Sequence, residues 1–92
     1  MLGFPPMSPA DALKRVRSLG AACRFFITDH ARERMKQRGV QPPDIQHGLA
    51  NAATATWQTE HETWKVASAD LVGEDLTLAV RIETTLIVVT VF

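Results

Sequence analysis

The sequence predicts an α+β domain, its first half helical and packed on a three- to four-stranded antiparallel sheet formed by the second. Two observations carry that expectation. Apolar residues recur at helical spacing between capping signals up to about residue 50, and strand alternation replaces that period from Thr54 onward. Residues 1–7 read as an irregular tail and 8–92 as a single domain.

Ser8-Pro9-Ala10-Asp11 opens the first helix, with Ser8 as N-cap, Pro9 at the first helical position and Asp11 completing a capping-box-like pattern. Ala12, Leu13, Val16 and Leu19 follow on one side, and Gly20 is the expected stop. Arg24–Thr28 reads as a short strand or an extended lead-in. Thr28 or Asp29 caps a second helix that runs to about Arg38 and ends at Gly39, and Pro42-Pro43-Asp44 starts a third through about Ala50. The segments 54–59 and 62–67 then suggest a hairpin around Glu60-His61. A two-residue loop sets Trp57 opposite Trp64 and Thr56 opposite Lys65. A longer loop, open because Gly and Asn are missing there, sets another register. Leu76, Leu78, Val80 and Ile82 alternate with polar or small residues, which gives a strand with one apolar face. The run 86–92 is apolar on both faces except at Thr90, as expected of a strand that is central in its sheet or covered on both sides.

At 46% apolar and 22% charged, the chain lies outside the disordered and fibrous classes. No apolar run approaches a membrane span, and Met1–Pro6 lacks the pattern of a secretory leader, so a cytoplasmic protein is expected. Cys23, the single cysteine, has no partner for an internal disulfide and is expected in or near the core.

The zero net charge hides a strong asymmetry. Residues 14–38 hold eight of the ten Lys and Arg against Asp29 and Glu33, a balance of +6, whereas 39–92 carry −5. Such polarity fits a domain that grips phosphate at one place. His30, Arg34 and Arg38 recur every fourth residue and fall within roughly 80° of one another on the wheel, bordering the apolar side made by Ala31 and Met35. Arg forks suit phosphate oxygens, and imidazole both gives and takes protons near neutrality. These are parts for cutting a phosphodiester without a metal or cofactor. Arg32 and Lys36 point the other way and offer RNA contacts. The plainer alternative is a solvated helix in which Glu33 pairs with Lys36 or Gln37.

Lys65 and Arg81 are the only cations of the β half. They complete a cleft if their strand face adjoins the helix stripe, and are surface residues otherwise. Trp57 and Trp64 are candidates either for stacking on RNA bases or for core packing. Thr90 either bonds locally or turns its hydroxyl to the cleft. His47 and His61 have no metal-ligand spacing around them.

The helix motif His30-Ala31-x-x-Arg34-Met35-x-x-Arg38-Gly39, with Trp64-Lys65-Val66 and the ending 87–92, resembles the bacterial family termed domain of unknown function 4258 over roughly residues 25–92. The chain departs from that family's Asp-Gly-type turn at Glu83-Thr84-Thr85 and has no tyrosine. Members are thought similar to RelE-like and MqsR-like toxins. The resemblance implies a metal-independent mRNA endoribonuclease, the toxin of a type II toxin–antitoxin pair, whose partner is an antitoxin. His30, Arg34, Arg38, Lys65 and Arg81 are then its catalytic candidates, and Arg32, Lys36, Trp64 and Thr90 its RNA contacts. The rival reading keeps the cationic helix as a docking surface of a non-catalytic RNA- or protein-binding module. For sequence-specific DNA binding, Gln37 is the one long polar neighbour suited to reading bases.

Overall fold

A computed structural model describes residues 5–92; the first four residues of the expected tail lie outside the described range. The fold is α+β. Its elements run α1 (Pro9–Ala21), β1 (Phe25–Ile27), α2 (Asp29–Arg38), α3 (Pro42–Ala50), β2 (Thr54–Gln58), β3 (Thr63–Ala69), β4 (Asp75–Ile82) and β5 (Leu86–Val91). The expected sheet needs correction: among the described residues it has five strands in the order β1-β5-β4-β3-β2, and it is mixed because β1 pairs parallel to β5. Three residues are too few to display alternation; of the two readings of Arg24–Thr28, a short strand or an extended lead-in, the strand is the one formed. Its presence places β5 inside the sheet, between β1 and β4.

The helix starts are those the caps announce. Ser8 Oγ accepts from Asp11 N–H and Thr28 Oγ1 from Ala31 N–H, both at 3.1 Å. The end of α1 differs from expectation. Gly20 is buried inside the helix, where a Cβ would stand 2.6 Å from Leu49 Cβ and 2.8 Å from Ala50 N. Its lack of a side chain lets α1 and α3 touch, so it is a contact glycine. The reversal falls instead to Cys23, at φ 58°, in a Schellman arrangement: Arg24 N–H donates to Leu19 O and Cys23 N–H to Gly20 O. Cys23 is therefore exposed, not in the core. The same motif closes α2 at Gly39, φ 70°, where sequence placed it.

One face of the sheet is covered. Ala55, Trp64, Val66, Leu78, Val80, Leu86, Val88 and Val91 form a core with Ala12 and Val16 of α1, Ala31 and Met35 of α2, and Ile45 and Leu49 of α3. The hairpin has the expected register, Trp57 facing Trp64 and Thr56 facing Lys65, across a turn spanning 59–62. The two indoles meet edge to face at 5.1 Å. No helix among the described residues is long and apolar enough to cross a membrane.

Candidate functional site

The other face of the sheet is open, and a β-bulge decides what it presents. Ala79 pairs with Thr90 but Val80 pairs with Val88, so Val89 is an extra residue on β5. Plain alternation from Leu86 and Val88 would send Thr90 into the core and Val91 outward. The bulge reverses this: Val91 is fully buried, and Thr90 faces out beside Ala79. Thr28 holds the bulge in place. Its N–H donates to Val88 O at 3.1 Å, and its Oγ1 donates to Val89 O at 3.1 Å while capping α2. The residue that starts α2 thus also fixes it against the bulge, and His30 follows two positions later.

An open cleft of about 330 Å³ results, walled by His30 from α2, Val89 and Thr90 from β5, and Ala79 and Arg81 from β4. Its far end is closed by Gln58, His61 and Thr63 of the β2–β3 hairpin, and Phe92 lies along it. Lys65 sits one pair away, opposite Ala79, with Nζ 5.3 Å from the centroid of the Phe92 ring. The arrangement juxtaposes proton-transfer groups, a guanidinium, hydroxyls and an exposed aromatic ring on a solvent-open floor. Arg81 makes the one side-chain ion pair among the described residues, Nε to Glu83 Oε2 at 3.7 Å. Both partners are about half exposed, so that tether is weak and leaves the guanidinium free to reorient.

The structure brings together His30, Arg81 and Thr90, with Lys65 adjoining. It separates the rest of the helix stripe. His30 and Arg38 lie about 12 Å apart along the axis at 1.5 Å per residue, too far for one phosphate. Arg34 Nε donates to Val91 O at 3.1 Å and its Nη1 to Gln37 Oε1 at 3.2 Å, so Arg34 ties α2 to β5. Arg38 is exposed and does not line the cleft. Arg32 and Lys36 border a second, shallow hollow of about 280 Å³ around Met35 and Gly39. Trp64 needs correction as an RNA contact: at 1% exposure it offers no ring face to a base. Phe92, 45% exposed, is the aromatic at the cleft.

The cationic segment therefore has mixed duties. Arg15 donates to Glu83 O at 2.9 Å and Arg17 to Ala52 O at 2.8 Å, both stapling α1 to the rest of the fold. Gln58, His61, Thr63 and Phe92 were not among the expected site residues. The legible hairpin register already set Gln58 and Thr63 on the face of Lys65, which is the signal that points to them.

No protein-family model, curated protein or solved structure matches the chain.

Proposed function

We propose that the chain is a toxin-like endoribonuclease of RelE-type architecture, cutting mRNA in the bacterial cytoplasm without a metal, as the toxin of a type II toxin–antitoxin pair. The observation that carries this reading is the convergence of His30, Arg81 and Thr90 on one cleft from three elements distant in sequence. In it, the phosphodiester lies on the open floor between α2 and the hairpin. His30 moves a proton at a ribose or leaving oxygen, and Arg81 neutralises charge that grows on the phosphate oxygens in the transition state. Thr90 donates a hydroxyl hydrogen bond. Lys65 adds positive potential, and Phe92 gives a base a ring to stack on. Arg32, Lys36 and Arg38, exposed and outside any ion pair among the described residues, steer the polyanion and contact flanking phosphates. They equally suit an acidic segment of an antitoxin.

That unpaired helix also favours the second reading, a non-catalytic module that binds RNA or a protein. Inducible expression in a bacterial host, beside a His30→Ala/Arg81→Ala double variant, separates the two. Growth arrest with fragmented RNA from wild type alone is the expected result. Normal growth and intact RNA from soluble, folded wild type would overturn the nuclease reading, and salt-sensitive RNA binding without cleavage would establish the module.

A further inference from the structure

The cleft has a histidine at each end. His30 enters from α2, which flanks β5, and His61 from the tip of the β2–β3 hairpin, with Arg81 on the strand between β3 and β5. The hairpin holds His61 without Gly or Asn in its turn. Glu62 takes the left-handed conformation at φ 52°, and His61 N–H donates to Gln58 O at 3.2 Å. Two strand spacings separate β3 from β5, about 10 Å. His30, His61 and Arg81 thus line the same cleft.

We propose that His61 is the second catalytic residue, acting with His30 as an acid–base pair on a ribonucleotide phosphodiester. The proposal rests on the nuclease reading. Transfer at phosphorus sets the attacking and leaving oxygens roughly in line, on opposite sides of the phosphorus. The proton leaving the ribose 2′-hydroxyl and the proton reaching the 5′-oxygen are therefore handled at opposite ends. One imidazole accepts the first as the 2′-oxygen bonds to phosphorus, and the other donates the second as the P–O5′ bond breaks. The products are a 2′,3′-cyclic phosphate and a 5′-hydroxyl end, and the proton count balances. His30, His61 and Arg81 are the titratable side chains among the residues lining the cleft, and a guanidinium does not give up its proton. The two imidazoles alone can complete the transfer there.

The charged residues on the elements around the pair are Asp29, Glu33 and Arg34 on α2, Glu60 and Glu62 beside His61, Arg81 with Glu83 after β4, and Lys65 on β3. The test is kcat/KM against pH for wild type, His30→Gln and His61→Gln, on single-stranded RNA and on uridine 3′-(4-nitrophenyl phosphate). Nitrophenolate leaves without a general acid. Each variant is expected to lose about 100-fold or more on RNA and one limb of a bell-shaped profile. The aryl ester should restore near-wild-type turnover to the variant lacking the acid, and leave the variant lacking the base impaired. His61 is exposed in a turn, so an unchanged melting temperature is expected to accompany the loss. RNA cleavage by His61→Gln within about 3-fold of wild type, with both limbs intact, would overturn the pair and leave the nuclease reading standing. Failure of wild type to cleave RNA would sink both.

Discussion

The two faces of the sheet are made by the same strands and differ in almost everything else. The covered face is a continuous apolar surface, with Trp64, Val66, Leu78, Val80, Val88 and Val91 at 1% exposure or less. The open face carries Gln58, Lys65, Arg81 and Thr90 around a cleft or beside it. Alternation, reset at Val89 by the bulge, assigns the residues their faces, and helices α1, α2 and α3 cover one of them. The division teaches that stability and chemistry are separable in this molecule: substitutions on one face should move melting temperature, and those on the other should move turnover or binding.

The largest effect expected on the covered face is from Trp64→Ala. Its side chain fills the core against Trp57, and truncation should cost about 3–5 kcal/mol in urea unfolding. A loss below about 1 kcal/mol would show that the core does not depend on that packing. Arg81→Ala, on the open face, should do the reverse. It loses a half-exposed ion pair, so stability should change by less than about 1 kcal/mol. Under the nuclease reading, RNA cleavage should fall about 100-fold or more, as for loss of one transition-state donor. A large drop in melting temperature would break the division between the faces.

The smallest effect concerns Asp44, which holds the start of α3 and the β3–β4 turn through backbone N–H groups of Gln41 and Leu71, at 3.0 and 3.1 Å. Those two bonds, Gln41 first, hold its carboxyl below the ordinary carboxylate range against a small opposing effect of burial, and His47 adds to the lowering. A lowered folded-state pKa contributes stability above the unfolded carboxylate's pKa, lost as pH falls through the folded value. The melting-temperature gap between wild type and Asp44→Ala should therefore be full at neutral pH and close in strong acid. Under the nuclease reading, RNA cleavage should be unchanged, because Asp44 does not line the cleft.

Much of the fold was legible because its signals are local. Ser8, Thr28 and Gly39 mark helix ends through hydrogen bonds within four residues of themselves, and the Trp57–Trp64 pairing follows from one hairpin. The parallel partner of β5 was not legible, since Phe25–Ile27 and Leu86–Val88 are some 60 residues apart and β1 is only three residues long. Gly20 illustrates the same limit. As a local signal it reads as a stop, and only the approach of α3 shows what its missing side chain is for. For the site, the helix pointed to His30 and the strand pattern to Arg81, but their common cleft with His61 depends on which edges adjoin.

By itself, then, the sequence determined the α+β class, the starts of the helices, the end of α2 at Gly39 and the concentration of charge on residues 14–38, and it offered the hairpin register as one of two alternatives. Each depends on neighbours along the chain or on a repeating period. Only the tertiary structure decided that Arg34 serves as a tie, that Trp64 is core, and that Thr90 turns outward. Those outcomes hinge on a bulge at Val89 and on contacts between elements, which a periodic pattern does not encode.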